Sequence, residues 1–479
     1  MPALKKDTWL YPALICIICF IVSLLNRQNP FDMTYMRYDS SIYQYIGWQM
    51  TEGKIPYRDI FDHKGPVIYF WNMLGYGLHP MLGQWFIELC ALFISAILAF
   101  KTGTRFISPA ICTLIIGIIF FNTPAADTIG NIVSLAVSLS YICLYILLFY
   151  VSDNKISPAH SFILGIICAL LLLLKPTYLA LPAVILTYIA VSTLYQKKYS
   201  EFILFALCSI CSFLLIITII CGWLQYHHAL ADFWQYYVIF NLRYARYWQT
   251  SNSFNYIWHI FSHQFIVILT LTAMLTALLQ YKLYTAKEYR LILCISLATV
   301  LTLIGIILPN NPFLHYLYIL SPLSFFLLIM AIKPWKQHRN TCYILCTACL
   351  LISLGECLKN ITTPVSDKNS KQAAQIIKTI IPPSEPFQTL GWDMARLHLL
   401  SLRKASTPYV MTGMFDRLFP DMLYRQIQNN HPSLIVILTT ERHVYYNLLQ
   451  NYWPNFNQDY SLIYKNAEYE IYISNKRAK

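Results

Sequence analysis

The chain has 479 residues, of which 57% are hydrophobic and only 12% are charged, and its mean hydropathy is +0.49. Soluble domains carry about 25% charged residues on average, so this composition excludes a water-soluble fold. The net charge of +13 does not indicate a nucleic-acid partner, because the Lys and Arg residues lie largely in short loops beside apolar runs, as in membrane proteins.

Long apolar runs recur from residue 9 to residue 357. A run of about 17 to 25 residues is long enough for a helix to cross a hydrocarbon core about 30 Å thick. We therefore predict a polytopic α-helical membrane protein with about eleven transmembrane helices. The predicted spans are residues 9–25, 82–100, 106–121, 131–151, 161–174, 177–195, 202–222, 259–279, 291–308, 313–332 and 341–357. The first follows a basic N-terminus but is not followed by a signal-peptidase site, which predicts a retained helix.

Basic residues fall in every second loop, beginning with Lys5 and Lys6 before the first span. Loops enriched in Lys and Arg stay in the cytoplasm, so the N-terminus is predicted to be cytoplasmic. An odd number of spans then places the C-terminal segment on the opposite face of the inner or plasma membrane. The 14 cysteines all lie in apolar runs and are predicted to pack as small hydrophobic side chains.

Two domains are predicted, a transmembrane domain over 1–357 and an extracytoplasmic domain over 358–479. The transmembrane domain includes a long first external loop, residues 26–81. Helical spacing of apolar and aromatic residues predicts two helices in this loop, over 42–50 and 66–74, lying along the membrane surface. A second long loop, 223–258, is rich in Trp and Tyr, which favours either an interfacial aromatic belt or stacking surfaces for a sugar or a lipid tail.

The polar C-terminal segment has the pattern of a small α/β domain. Helices are predicted over 369–381, 419–430 and 440–451, strands over 387–391, 408–412 and 433–439, and a terminal hairpin over 460–474 that turns at Asn466. It contains no Gly-rich phosphate loop and no cluster of catalytic type. A capping or acceptor-positioning role is therefore favoured over catalysis.

Carboxylates and cations are concentrated in the first loop, between residues 38 and 66. Sugar transfer from a lipid phosphate needs a base for the acceptor proton and cations for the departing phosphate. Asp39 is the candidate base, and Lys64 and Arg58 are the candidate cations. The alternative is that the charged residues of the loop form surface ion pairs, each worth about 0–1 kcal/mol.

This loop resembles the first external loop of the membrane glycosyltransferases with the C-type fold, related to the protein O-mannosyltransferases and the lipid A aminoarabinose transferase. Asp39 matches the acidic position after the first span, and Lys64-Gly65-Pro66 matches a motif that follows a Gly-x-x-Pro-Tyr-x-Asp segment, here 53–59. Ser40 stands where the family usually has Glu, and a serine does not supply a second carboxylate there. Pro312-Phe313-Leu314-His315-Tyr316 and Leu390-Gly391-Trp392 resemble later motifs of the bacterial members.

The resemblance implies an inverting transfer from a polyprenyl-phosphate sugar to a lipid- or polymer-linked glycan acceptor of the cell envelope. It implies Asp39 as general base and Lys64 as the ligand of the donor phosphate, with Arg58 assisting. Lys175, where a short apolar run breaks at Pro176, and His315 are further candidates for binding the donor phosphate. Lys175 is otherwise a snorkelling lysine at a helix end, and His315 a polar anchor for a turn. Further candidates for the substrate cavity are Asp62, His63, Tyr57, Tyr316 and Arg243.

No cofactor is predicted to be required. Asp39, Asp59, Asp62 and His63 are possible metal ligands, but their spacing matches no recognised metal motif, and a lysine can neutralise a phosphate without a metal. Three other functions remain open: a transporter or flippase of lipid-linked glycans, a glycan polymerase or ligase, and a membrane scaffold whose C-terminal domain binds a partner. A transporter is less favoured because the sequence shows no internal repeat.

Overall fold

The computed structural model describes residues 9–25, 29–31, 39–121, 130–153, 155–243, 258, 264–307, 314–362, 368–413 and 419–476. Helices dominate, since a chain in lipid must satisfy its own backbone hydrogen bonds. They are α1 Leu10–Leu24, α2 Asp39–Thr51, α3 Pro66–Leu78, α4 Gly83–Gly103, α5 Pro109–Phe121, α6 Ile132–Asp153, α7 Pro158–Leu172, α8 Ala180–Tyr195, α9 Tyr199–Tyr226, α10 Leu230–Phe233, α11 Phe265–Leu279, α12 Ala286–Ile307, α13 Ser321–Ile332, α14 Arg339–Thr362, α15 Lys368–Ile380, α16 Ala395–Ser401, α17 Pro420–Asn430, α18 Arg442–Tyr452 and α19 Phe456–Asp459.

Within the described residues, seven helical segments are long and apolar enough to cross a membrane: Gly83–Gly103, Ile132–Asp153, Pro176–Tyr195, Tyr199–Tyr226, Ala286–Ile307, His315–Trp335 and Arg339–Leu358. Four shorter apolar helices accompany them, Leu10–Leu24, Pro109–Phe121, Pro158–Leu172 and Phe265–Leu279. Each predicted span overlaps one of these helices. The chain is therefore a multi-pass membrane protein, as predicted, while the count of about eleven spans stays a prediction.

Helix α2 differs from the predicted surface helix, because every residue from Ser40 to Met50 is buried. Its polar residues Gln44 and Gln49 are each only 2% exposed. The helix packs against α3 on one side and against α16, near the end of the chain, on another. Its pattern indicated one apolar face, but the C-terminal segment covers the face that was expected to meet water or lipid head groups.

The C-terminal segment forms a four-stranded sheet in the order β1-β2-β4-β3. The strands are β1 Gln388–Leu390, β2 Leu434–Leu438, β3 Tyr460–Lys465 and β4 Tyr469–Ser474. β1 and β2 are parallel, and the other neighbours are antiparallel. The predicted hairpin turns at Asn466, whose Oδ1 accepts hydrogen bonds from the backbone N–H groups of Glu468 and Tyr469. The predicted small α/β fold is confirmed.

The strand predicted over 408–412 was wrong. That segment runs beside β1, but side chains replace the backbone ladder. Gln388 Nε2 donates to the carbonyl of Tyr409 at 3.0 Å, and the backbone N–H of Gly391 donates to Thr412 Oγ1 at 2.8 Å. The apolar run correctly indicated burial, but sequence alone did not show that β1 would offer it side-chain partners instead of a backbone ladder.

Two hydrophobic clusters lie on the sheet. One is made within the C-terminal segment and includes Ile377, Leu434 and Ile471. The other includes Tyr409 and Tyr424 together with Phe61 and Phe240, which come from the transmembrane part of the chain. The C-terminal segment is thus packed directly onto the loop that follows α2.

Candidate active site

The loop between α2 and α3 is folded tightly by two tyrosines. Tyr57, which has a positive φ of 71°, donates from its hydroxyl to the carbonyl of Lys64 at 2.6 Å. Tyr69, on α3, donates to the same carbonyl at 3.1 Å and to Asp62 Oδ2 at 2.8 Å. These bonds hold the backbone of Lys64 at the start of α3, so Tyr57 acts in the structure as a brace.

Gly65 lets this loop approach the end of α7. A Cβ atom at this position would lie 1.7 Å from the carbonyl oxygen of Leu173, much closer than any real contact. Pro66 then begins α3, where a missing N–H costs nothing because the first helical N–H groups have no partner in the helix. The Lys-Gly-Pro sequence therefore brings Lys64 beside the connection that carries Lys175.

Asp39 and Lys64 are brought together by the fold. Lys64 Nζ lies 3.9 Å from Asp39 Oδ2, and the two side chains are 11% and 20% exposed respectively. Asp39 is the first residue of α2, where the helix dipole favours a negative charge. At this distance the pair is loose and partly accessible, so both groups can still contact a ligand.

His63 and Asp62 orient the lysine. Lys64 Nζ lies 2.9 Å from His63 Nε2, and because an ammonium can only donate, Nε2 must be the unprotonated nitrogen. Burial and the charge of Lys64 lower the pKa of His63, which keeps the ring neutral. Nδ1 then carries the proton and faces Asp62 Oδ1 at 3.3 Å.

Asp62 remains a carboxylate inside the protein. Burial alone would raise its pKa, but the hydrogen bond from His63 and the charge of Lys64 outweigh burial and hold the pKa below its usual value. Both oxygens are used, Oδ2 by Tyr69 and Oδ1 by the backbone N–H of His63 at 2.8 Å. Asp62 therefore acts on Lys64 through His63.

Lys175 lies in the connection between α7 and α8, with its Nζ 3.3 Å from the ring centroid of Tyr316 and 5.6 Å from that of Tyr178. Within the described part of the chain, no carboxylate lies within ion-pair distance of this ammonium. Burial of the group, and then the charge of Lys64, lower the pKa of Lys175 to about 7 against the opposing effect of Asp39. Among the described residues, the partners of this ammonium are therefore aromatic faces rather than a carboxylate.

His315 and Tyr316 lie at the same place, with ring centroids 4.4 Å apart. The charges of Asp39, Lys175 and Lys64 all act on His315. Tyr316 is 6% exposed and forms the surface on which Lys175 rests. Pro312 and Phe313 of the same motif lie outside the described residues.

Tyr43 and Tyr178 belong to this cluster and were missed by sequence reasoning. Burial, and then the charge of Asp39, hold the pKa of Tyr43 well above its usual value. The buried hydroxyl of Tyr178 has no hydrogen-bond partner in the described part of the chain. Tyr43 follows Asp39 by four positions on one helix, a spacing that places both on one face and was the available signal.

Arg58 binds groups outside the cluster. The guanidinium of Arg58 binds Asp59 through two contacts of 2.9 Å, and its Nη1 donates to the carbonyl of His227 at 2.7 Å. Arg58 therefore braces the loop against the end of α9, a use that the sequence did not indicate. Arg243 is exposed at the edge of a described segment.

Among the described residues, no group of three His, Cys, Asp or Glu side chains is arranged to hold a metal ion. Asp59 is paired with Arg58, and Asp62 is used by Tyr69 and His63. The prediction that no metal is required stays a prediction.

One protein family matches residues 6–343, the family described as the putative competence-induced protein Ccs4 N-terminal domain. The match covers well over half of the chain. This chain belongs to that family. No curated protein matches it.

Solved structures with a similar overall fold include ArnT and AglB. ArnT from Cupriavidus metallidurans bound to undecaprenyl phosphate matches with a TM-score of 0.66 at 12% identity, over 98% of both chains. In its apo state the same protein gives 0.63 at 11% identity, over 97% of both chains.

The archaeal oligosaccharyltransferase AglB from Archaeoglobus fulgidus, in complex with an inhibitory peptide and a dolichol-phosphate, gives a TM-score of 0.56 at 10% identity. That match covers 96% of this chain and 73% of AglB. The C-type fold predicted from the first loop is thereby confirmed for this Ccs4-family chain. At these identities the similarity establishes the fold alone.

Proposed function

We propose that this protein transfers a sugar from a polyprenyl-phosphate donor to an acceptor hydroxyl on the non-cytoplasmic face of the membrane. The observation that carries the proposal is the partly accessible Asp39–Lys64 pair at 3.9 Å, whose two charges both act on the ammonium of Lys175. The pair supplies a base and a cation at one point. The second cation makes the site suited to an anion.

A lipid-borne phosphate is the anion that this arrangement favours. Lys175 is half-buried and has no carboxylate partner among the described residues, and removing a charge from water without such a partner is costly. A phosphate between Lys64 and Lys175 would contact both ammonium groups and relieve that cost. The solved ArnT and AglB structures, which share the fold, hold undecaprenyl phosphate and dolichol-phosphate.

The reaction needs one proton transfer and one displacement. Asp39 takes the proton of the acceptor hydroxyl as its oxygen attacks the anomeric carbon, and the bond between that carbon and the phosphate oxygen breaks. Polyprenyl phosphate leaves with the bonding electron pair, and Lys64 and Lys175 stabilise its growing charge. A single displacement inverts the anomeric carbon. His63 and Asp62 hold Lys64 in place, and His315 and Tyr316 line the phosphate side of the cavity.

The alternation of basic loops supports the assignment of this site to the non-cytoplasmic face. Nucleotide sugars are not supplied there, so a donor that arrives by diffusion in the membrane suits the location. The acceptor that fits this setting is a lipid- or polymer-linked glycan of the cell envelope.

The test is release of polyprenyl phosphate from labelled polyprenyl-phosphate hexoses and pentoses by the full-length protein in nanodiscs. Lys64→Met should lower the rate at least about a hundredfold, because it removes the main cation at the leaving phosphate. Lys54→Met is the matched control, an exposed lysine of the same loop, and should stay within about twofold.

Two results would contradict the proposal. One is equal donor turnover by the parent and Lys64→Met. The other is movement of the intact lipid-linked glycan across vesicles without cleavage, which would establish the transporter alternative.

A further inference from the structure

Asp39 and Lys64 belong to different structural elements, α2 and the loop that follows it. One short C-terminal segment contacts both of these elements. Asp39 begins α2, and Lys64 ends the following loop. We propose that residues 404–409, here named the tail clamp, set the position of Lys64 relative to Asp39, with Tyr409 as the positioning residue. This inference rests on the proposed function.

The tail clamp contacts α2 at two residues, Tyr45 and Glu52. The backbone N–H of Ala405 donates to the hydroxyl of Tyr45 at 2.9 Å, and Lys404 forms an ion pair with Glu52. The ring of Tyr45 also lies 5.4 Å from that of His398, on α16. Tyr45 is 2% exposed, so its hydrogen bond to Ala405 lies inside the protein, whereas the Lys404–Glu52 ion pair lies at the surface.

The tail clamp also contacts the loop that carries Lys64. The backbone N–H of Phe61 donates to the carbonyl of Pro408 at 2.9 Å. The ring of Phe61 lies 5.7 Å from that of Tyr409, with Tyr236 at 4.9 Å and Phe240 at 5.3 Å on its other sides. Phe61 precedes Lys64 by three residues, so this aromatic joint fixes the chain just before the lysine.

The residues between these two contacts are hydrogen-bonded to the C-terminal sheet. Gln388, on β1, accepts from Ser406 Oγ and Thr407 Oγ1 at 2.9 Å each, and its Nε2 donates to the carbonyl of Tyr409 at 3.0 Å. Gln388 is fully buried. The tail clamp is therefore bonded to β1 of the C-terminal sheet through one buried side chain, and through the tail clamp the sheet contacts both α2 and the Lys64 loop.

A second contact with the same loop comes from the segment after α10. Asn241 Nδ2 donates to the carbonyl of His63 at 2.6 Å, and the neighbouring Phe240 belongs to the aromatic joint. Loss of the Tyr409 ring would loosen the joint on the side of the C-terminal sheet while Asn241 stays in place. The expected consequence is a displaced lysine in a folded protein, and a shift of about 1 Å at such a site can cost about a hundredfold in rate.

The test uses the full-length protein in nanodiscs with undecaprenyl phosphate as the binding probe. Tyr409→Ala should raise the Kd of this lipid about tenfold and lower kcat for donor cleavage about tenfold or more. Tyr409→Phe keeps the ring and should restore both to within about threefold. Ile471→Ala is the matched control, since it opens the other cluster of the sheet and should leave the Kd unchanged.

Amide hydrogen exchange gives a readout that does not depend on the reaction. Tyr409→Ala should speed exchange over residues 57–64, whereas Ile471→Ala should not. Unchanged lipid binding and unchanged exchange in Tyr409→Ala would overturn the inference, as would equal effects of Tyr409→Ala and Ile471→Ala. If the parent itself neither binds undecaprenyl phosphate nor cleaves donor, the proposed function fails, and the exchange result alone then decides whether the tail clamp positions the loop.

Discussion

The two lysines of the site lie in regions that treat their charge differently. Lys64 ends a braced loop, where Asp39 lies 3.9 Å away and His63 accepts from its ammonium. Lys175 lies in a helix connection against the faces of Tyr316 and Tyr178, with no carboxylate at ion-pair distance among the described residues. The charge of Lys64 is therefore balanced by a carboxylate of the protein. The charge of Lys175 is not, and a bound anion would balance it.

This difference explains why two cations side by side are tolerated. A lysine in an apolar surrounding gives up part of its proton, and burial lowers the pKa of Lys175 to about 7. An incoming phosphate would restore the proton and the charge. The site is thus suited to bind an anion, and without an anion Lys175 carries only part of its charge.

The largest effect is expected for Asp39→Asn, which tests the Asp39–Lys64 pair. The amide keeps the shape of the side chain but cannot accept the acceptor's proton, so kcat for donor cleavage should fall about 10²- to 10⁴-fold while undecaprenyl phosphate still binds. Asp59→Asn changes an acid of the same loop that is paired with Arg58, and transfer should change by less than about threefold. A fully active Asp39→Asn protein would remove the general base from the account.

The contact between the two regions is tested by Gly65→Ala. Its Cβ would collide with the carbonyl of Leu173, which must push the Lys64 loop away from the Lys175 connection, and the affinity for undecaprenyl phosphate should fall about 10- to 100-fold. Gly77→Ala, on the helix α3 that follows Gly65, is the control, because a Cβ there meets nothing within 4 Å. Equal binding by both variants, measured in nanodiscs, would show that the two lysines do not act together.

The role of Lys175, which has no carboxylate partner among the described residues, is tested by the pH dependence of donor binding. Below a pKa of about 7 Lys175 is already protonated, whereas above it binding of the phosphate requires proton uptake, so affinity should fall as pH rises, by up to about tenfold per pH unit. The donor phosphodiester keeps one charge across this range. Lys175→Arg, which stays charged, should flatten the profile between about pH 6 and about pH 9. A parent profile as flat as that of the Arg variant would contradict the assignment.

The smallest effect is expected for Arg58→Ala. The guanidinium is used on Asp59 and on the carbonyl of His227, so its loss should loosen the loop surface without removing a phosphate contact. Donor affinity should stay within about threefold of the parent, as for most exposed ion pairs. A loss of about a hundredfold or more in lipid binding would place Arg58 in the phosphate site after all.

The apolar runs and the local motif of the first loop were readable from the sequence. Spans follow from run length, because a helix is the way an isolated apolar segment satisfies its backbone in lipid. Asp39 and Lys64 were found through a motif confined to one loop, and the fold confirmed by the solved structures is the one that this motif indicated. The catalytic roles of these residues stay predictions.

What the sequence did not reveal depends on contacts between distant parts of the chain. The burial of α2 requires residues near 400, and the ring of Tyr316 reaches Lys175 from another helix. The binding of Arg58 to the end of α9 and the replacement of a strand over 408–412 by side-chain bonds are likewise set by partners far along the chain. Spacing within one segment carries no record of such partners.

The most direct test of the two-lysine site is a cryo-EM structure of the full-length protein with undecaprenyl phosphate in nanodiscs. We expect the phosphate between the ammonium groups of Lys64 and Lys175, in hydrogen-bond reach of both and next to Asp39. A lipid phosphate bound elsewhere, with both lysines arranged as they are without it, would contradict the account.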